Sequence, residues 1–388
     1  MLFKSYLQWY LAVQKFIVLP NYQLPKGKFR RIVLLLRILF LISFNIISVY
    51  DFWIIWSMNT DYVDSGSGVG NALGILESTL ERVGIFVIDL LTLLHNKSHL
   101  ELIEKTVEFE NELIKCVGEN KIRRYGRKSS KAYINMFLIV IWGVFCNLAF
   151  LSFRLNQEFN TTFITWYFHI MIIESVQHSV IFYILTFIDL IAKYSEFLDN
   201  ALKNPTGKHR TIPHTVEVFN ILTDYLSIID LISSTFGTTI VYIFIHHFFE
   251  AWCSLYFSVW MIFWHQWNQS SLIHLICFII WTTRSITIVI VTALVCQKCS
   301  QKTQIATHSL GRVYQDYCGC SDMNFHERCI QFNAQQYLLS HLHREVKISA
   351  SELFTIDFQL VSAIFSSIAT YLVILLQFKQ LEGYLEEN

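Results

Sequence analysis

Seven stretches dominated by apolar residues run along this chain, and each is long enough to cross a lipid bilayer as an α-helix. Inside a bilayer the backbone N–H and C=O groups find no water, and a helix satisfies them internally. The sequence therefore predicts an all-α polytopic membrane protein with seven transmembrane helices. The stretches are residues 32–56, 70–95, 132–153, 163–191, 239–264, 273–297 and 356–380.

The composition agrees with a chain that is surrounded mostly by lipid. Hydrophobic residues make up 53% of the 388 residues and charged residues only 15%, whereas soluble domains carry about 25% charged residues. The formal net charge is zero, so nothing favours a nucleic acid as partner. Membrane lipid is the predicted environment.

Basic residues predict the orientation of the chain. Because basic loops stay in the cytoplasm, the N-terminus is predicted to be cytoplasmic and the C-terminus extracellular. The sequons that begin at Asn160 and Asn268 then fall in outer loops, which makes both asparagines candidate glycosylation sites. Most of the 30 lysines and arginines lie before residue 32 and within residues 96–131, 192–238 and 298–355.

The last apolar stretch carries a line of polar and small residues along one side. At 100° per residue, one side of the helix collects Gln359, Ala363, Ser366, Thr370, Ile374 and Gln377. The opposite side is uniformly apolar, with Val361, Ile364, Ile368, Leu372 and Leu375. A membrane helix of this kind needs water or a polar partner on its polar side, and the wall of a pore supplies both.

The end of the same stretch carries a short motif: Thr370 and Tyr371, then five hydrophobic residues, then Gln377 and Phe378. It resembles the C-terminal signature of the insect gustatory receptors, a family related to the insect odorant receptors. The preceding Phe354-Thr355-Ile356-Asp357-Phe358 is similar to the family's entry into its last helix. Seven helices with a cytoplasmic N-terminus and long inner segments fit the same family over most of the chain.

The resemblance implies a tetrameric, ligand-gated, non-selective cation channel in the plasma membrane, with the last helix of each subunit lining one pore. It places the gate at Ile374 with Gln377 one turn further on, and Ser366 and Thr370 lie on the same line. Four isoleucines would close such a pore by excluding water, and four amides would help to solvate a cation. The alternative is that Gln377 only forms hydrogen bonds between helices.

The resemblance also implies a domain organisation and partners. Cytoplasmic helical extensions are expected to form an anchor domain where homo- or hetero-tetramers meet. The ligand is expected to be a small-molecule tastant, and Leu372 stands where sugar receptors of the family carry an acid, which favours a bitter or deterrent compound over a sugar. The predicted segments are a cytoplasmic N-terminus 1–31, six membrane helices with their extensions 32–300, an anchor segment 301–355, the pore helix 356–380 and an extracellular tail 381–388.

Aromatic residues crowd the stretch 239–264, with Tyr256 and Trp260 in its outer half. Large flat side chains suit an apolar, partly aromatic ligand, so this half is a candidate pocket wall. The alternative is ordinary core packing or an aromatic belt at the membrane surface. Four further candidate pocket residues lie at a similar depth: Glu77, Asn147, His169 and Trp281.

Charged residues within the apolar stretches are expected to pair, because an isolated charge inside a bilayer is costly. Arg284 is predicted to pair with Glu174 or Glu250. Such a pair is either a fixed structural element or a device that couples ligand occupancy to helix movement.

Neither a metal, a cofactor nor an enzymatic activity is predicted. Cysteines and histidines concentrate between residues 296 and 329, but their spacing fits no standard zinc motif. The remaining alternatives are a seven-helix receptor without its own pore, a transporter and a membrane acyltransferase. A G-protein-coupled receptor would have its N-terminus outside, and a transporter would favour repeated halves or broken helices.

Overall fold

The computed structural model describes residues 68–117, 161–203, 212–264, 269–318, 346–351 and 353–386, with Leu7 and scattered positions between 32 and 53. The described part of the chain is almost entirely helical. Its elements in chain order are α1 (Gly68–Leu94), α2 (Asn96–Val117), α3 (Thr161–Lys203), α4 (Ile212–Trp264), α5 (Gln269–Cys318), β1 (Ser349–Ala350), β2 (Phe354–Thr355) and α6 (Phe358–Glu386).

Among the described residues, three helical segments are long and apolar enough to cross a membrane: Asn220–Phe263, Ser271–Ser309 and Phe358–Leu381. They contain most of the predicted stretches 239–264, 273–297 and 356–380. The stretches 70–95 and 163–191 fall on α1 and α3. The described positions between 32 and 53 are helical, and 132–153 lies outside the described residues.

Three helices are far longer than a bilayer requires. Helices α3, α4 and α5 have 43, 53 and 50 residues, which corresponds to roughly 65–80 Å, against about 30 Å for the hydrocarbon core. α3 ends at Lys203, directly before the sequence Asn204-Pro205, because proline and its preceding residue disfavour helix. The additional length of α3, α4 and α5 lies at the end of the bundle that α2 covers.

Helix α2 is amphipathic, and its apolar side closes this end of the bundle. Leu102, Phe109 and Leu113 are buried, and the ring of Phe109 packs against Tyr194 of α3 and Tyr225 of α4, with centroids 5.4 and 5.7 Å apart. The Tyr225 hydroxyl in turn donates to the backbone carbonyl of Ile191 and lies 2.9 Å from Thr303 Oγ1 of α5. The four helices are therefore tied together through one aromatic centre.

A small β-hairpin precedes α6, so the prediction of an all-α chain is wrong at these four residues. Ser349 pairs with Thr355 and Ala350 with Phe354, antiparallel, across a tight turn in which Ser351 has a φ of 53°. The turn lies on α4 at Gly237, where a Cβ would stand 2.5 Å from the Ser351 nitrogen. Only glycine allows this close approach.

Helix α6 begins directly after the hairpin because Asp357 caps it. Asp357 Oδ1 accepts a hydrogen bond from the Leu360 amide at 3.1 Å, and Oδ2 accepts one from the Thr355 hydroxyl at 3.1 Å. A carboxylate at this position satisfies amides that the first turn leaves open. The cap and the hairpin together fix the direction in which α6 leaves the bundle.

Candidate functional site

The two sides of α6 have different surroundings. Its apolar side packs onto the rest of the chain: Val361 and Ile368 are buried, and Ile364 and Leu372 are half-buried against core residues. The side that carries the polar line faces away from the chain. Every member of that line is exposed: Gln359, Ala363, Ser366, Thr370, Ile374 and Gln377.

The predicted gate residues lie along this exposed side. Ile374 keeps 39% of its surface exposed, and Gln377 one turn further on is exposed as well. The Thr370 hydroxyl donates to the Ser366 carbonyl at 2.9 Å, which satisfies the hydroxyl within its own helix and leaves the surface of the line polar but not charged. The described residues do not cover this side of α6.

The remaining motif residues sit beside the line. Tyr371 is 49% exposed, and its ring packs against Trp252 of α4 with centroids 5.5 Å apart. Phe378 is 56% exposed. Tyr371 therefore connects the exposed flank of α6 to α4.

An aromatic cluster joins α4, α5, α1 and the apolar side of α6. Tyr256 and Trp260 are buried in it, and half-buried Trp281 lies at its edge. The Phe257 and Phe278 rings stack with centroids 5.3 Å apart. Leu372, Leu375 and Leu376 of α6 pack against the same cluster. A change in its packing would therefore be transmitted directly to α6.

Comparison with known proteins identifies the family of the chain. The family model for the seven-transmembrane (7tm) chemosensory receptors matches residues 3–382. The chain belongs to the 7tm chemosensory receptor family. This confirms, at the level of the family, the resemblance that the motif Thr370–Phe378 indicates.

Solved structures agree on the fold of this chemosensory receptor. It is similar to the insect olfactory receptor OR5 from Machilis hrabei, both alone and in complex with eugenol. In each case the TM-score is 0.68 with 11% sequence identity, over 97% of this chain and 98% of the other. No curated protein sequence matches the chain significantly. Family membership and the apolar helices make the receptor a membrane protein, and receptors of this family are in general not enzymes.

Inside the receptor, Arg284 of α5 contacts both of the acids that the sequence offers as alternatives. Its Nη1 donates to Glu174 Oε2 of α3 at 2.8 Å, and its Nη2 donates to Glu250 Oε1 of α4. The Ser285 hydroxyl donates to Glu250 Oε2 at 2.5 Å. Side-chain exposures of 8, 14 and 6% for Arg284, Glu174 and Glu250 place the cluster in the interior. The cluster links three helices.

Of the remaining candidate residues, the structure describes Glu77 and the backbone of His169. Glu77 is half-buried on α1, one turn beyond Leu73 of the aromatic cluster. His169 lies in α3, but its side chain lies outside the described residues, as do Asn147, Asn160 and Asn268 altogether.

Sequence reasoning missed the histidines that surround the charge cluster. His247 Nδ1 lies 2.9 Å from Glu250 Oε2, and His178 packs against His247 with ring centroids 6.2 Å apart. The signal was present in the helical spacing of His178 four residues after Glu174 and of Glu250 three residues after His247. Only the fold shows that these two pairs meet.

Proposed function

We propose that this receptor is a ligand-gated, non-selective cation channel of the gustatory type, in which α6 from each of four subunits lines a central pore. The exposed polar line on an otherwise apolar helix carries the proposal. In lipid such a line would face hydrocarbon, whereas four copies around an axis turn it toward water. The family membership supports the same reading.

Within this pore Ile374 forms the gate and Gln377 the adjacent cation-solvating ring. A ring of four isoleucine side chains excludes water when the helices are close and admits it when they separate. Ser366 and Thr370 line the conduit on the side toward the hairpin. The family resemblance implies these roles, and the exposure of each residue on α6 supports them.

The ligand binds at the aromatic cluster around Tyr256, Trp260 and Trp281. Leu372 and Leu375 pack on this cluster from α6, while the gate residue Ile374 lies on the opposite side of the same helix. A ligand that binds one packing of the cluster more tightly shifts α6 toward the position that fits it. Glu77, Asn147 and His169 complete the pocket.

The expected ligand is a small, apolar and partly aromatic tastant, bitter or deterrent rather than a sugar. The related olfactory receptor from Machilis hrabei was solved with eugenol, which supports a pocket for molecules of this size. Leu372, in place of the acid found in sugar receptors, supports the exclusion of sugars.

The same proposal implies a cellular location, an orientation in the membrane and an anchor region for the receptor. The receptor acts in the plasma membrane of a sensory neuron, with a cytoplasmic N-terminus and with Asn160 and Asn268 glycosylated outside. The ends of α3, α4 and α5 near α2, with the segment 301–355, form the cytoplasmic anchor of a homo- or hetero-tetramer. The region 356–380 is the pore helix.

The Ile374→Ala variant tests the proposal. Removing the larger side chain widens the closed constriction, so we expect a cation current without ligand, several-fold above that of the parent receptor in cells with equal surface expression. Ile279→Ala is the matched control, because Ile279 is also an exposed isoleucine, 49% exposed, but lies on α5. Equal ligand-free currents in both variants and the parent would contradict the pore assignment.

A further inference from the structure

Three histidines meet in the interior of the receptor, next to the cluster of Arg284, Glu174 and Glu250. His178 comes from α3, and His246 and His247 are neighbours on α4. Their relative exposures are 9, 7 and 2%. The ring centroids of His178 and His247 are 6.2 Å apart, and those of His246 and His247 are 5.1 Å apart.

The hydrogen bonds fix which nitrogen carries the proton in two of these rings. His178 Nδ1 lies 2.6 Å from the backbone carbonyl of Glu174, and His247 Nδ1 lies 2.9 Å from a carboxylate oxygen of Glu250. Carbonyl and carboxylate oxygens only accept, so both Nδ1 atoms donate. The lone pair of each ring is then on Nε2.

Three ring nitrogens of this group are buried without a hydrogen-bond partner among the described residues: His178 Nε2, His247 Nε2 and His246 Nδ1. Burying an acceptor without a partner costs about 1–3 kcal/mol each. Three such nitrogens on neighbouring rings would gain from a bound water molecule or metal ion.

The arrangement has the features of a transition-metal site. Histidines that bind metal usually donate their other ring N–H to a carboxylate or a backbone carbonyl, as His247 and His178 do here. With Zn–N bonds of about 2.0–2.1 Å, two imidazoles on one tetrahedral zinc ion have ring centroids about 5 Å apart. Ligand atoms of His246, His247 and Glu250 lie within 4.8 Å of one another.

The local charge also favours a cation. Two carboxylates, Glu174 and Glu250, face the single guanidinium of Arg284, so this group of charges is net negative when the imidazoles are neutral. A buried net charge attracts a counter-ion strongly because the surroundings screen it poorly.

We propose that this receptor binds a divalent zinc ion through His178 Nε2, His247 Nε2 and His246 Nδ1, with a water molecule as the fourth ligand. The Glu174 backbone carbonyl orients His178, and the Glu250 carboxylate orients His247, each through the Nδ1–H group of the ring. The ion ties α3 to α4 beside Arg284 of α5. Its presence does not depend on α6 lining a pore, since no ligand comes from α6.

Cobalt binding to the purified full-length receptor in detergent tests this site. Four-coordinate Co²⁺ gives visible absorption bands with nitrogen ligands, and zinc displaces it. We expect one cobalt ion per chain, with an affinity at least about tenfold lower in His246→Gln and His178→Gln. His308→Gln is the matched control, because His308 is an exposed histidine elsewhere on α5 and its loss leaves binding unchanged.

A second measurement keeps the inference testable if the variants do not fold. X-ray absorption at the zinc edge of the parent receptor, loaded with one equivalent of metal, should show scattering from at least two imidazole rings. Spectra without imidazole, absence of tight cobalt binding, or equal affinity in folded His246→Gln, His178→Gln and His308→Gln would each overturn the proposal.

Discussion

Helices α4 and α6 are both apolar enough to cross a membrane, yet α4 is largely buried by the rest of the chain and α6 is largely exposed. Within the most apolar 18 residues of each helix, 56% are buried in the chain for α4 and only 11% for α6. Both helices carry polar residues at helical spacing. On α4, Glu250 finds its partners on α5, whereas the polar line of α6 points outward.

The described part of the chain satisfies a buried carboxylate on α4 and leaves the polar line of α6 exposed. Glu250 on α4 receives hydrogen bonds from Arg284 and Ser285, so one chain supplies everything this polar group needs. Gln377 on α6 is exposed, and the described residues do not cover it. Polar residues of the first kind are expected to stabilise the single chain, and those of the second kind are candidates for contact with water or with a partner.

Removal of Arg284, the partner of Glu250 on α4, is expected to have the strongest consequence. Arg284→Leu leaves Glu174 and Glu250 buried without their cation, which costs about 3–5 kcal/mol in comparable buried pairs. We expect loss of monodisperse receptor in size-exclusion chromatography. Lys298→Ala is the control. Lys298 lies on the same helix and is 51% exposed, so its 3.3 Å ion pair with Asp189 is screened by solvent and contributes little to stability. Normal yield and melting temperature of Arg284→Leu would show that the cluster is dispensable.

A smaller loss of stability is expected for a substitution on the buried side of α6, and none for one on its exposed side. Ile368 is 5% exposed, and Ile368→Ala leaves a cavity that costs about 2–5 kcal/mol. Gln377→Ala, on the exposed side, is expected to leave stability unchanged. Thermal unfolding of the two variants in the same detergent measures the difference. Equal melting temperatures would mean that the two sides of α6 are not distinct in the assembled receptor.

The smallest predicted effect concerns the end of the bundle near α2 and depends on pH. Burial lowers the pKa of His99 to about 3, and Tyr183 Oη lies 2.6 Å from its Nε2. Between that pKa and the unfolded value of about 6.5, only the unfolded chain binds the proton. The contribution of neutral His99 to the free energy of unfolding is therefore complete above about pH 6.5. It decreases on acidification, by at most about 1.4 kcal/mol per pH unit.

His99→Gln should remove this part of the acid sensitivity. The measurement is the change in melting temperature between about pH 7.5 and about pH 5.5, which we expect to be smaller in His99→Gln than in the parent. His308→Gln, at an exposed position, should retain the parental change. An unchanged pH dependence in His99→Gln would show that His99 is already neutral in the unfolded chain or is protonated in the folded one.

Much of the receptor follows from local patterns. The apolar stretches and the motif Thr370–Phe378 suffice to predict a helical membrane protein of the right family. The helical period of α6 predicts that its two sides differ. The hairpin before α6 was missed because its four strand residues are too few to give an alternating pattern, and its position depends on the contact between Ser351 and Gly237.

Local sequence specifies which residues share a side of each helix, because the period of 3.6 residues is a local property of the backbone. The residues that each side contacts depend on the tertiary fold. Arg284 and Glu174 are 110 residues apart in the chain, and nothing in either segment specifies that Arg284 contacts both acids or that His178 meets His247. Such meetings depend on how whole helices pack against one another, and packing is a property of the complete chain.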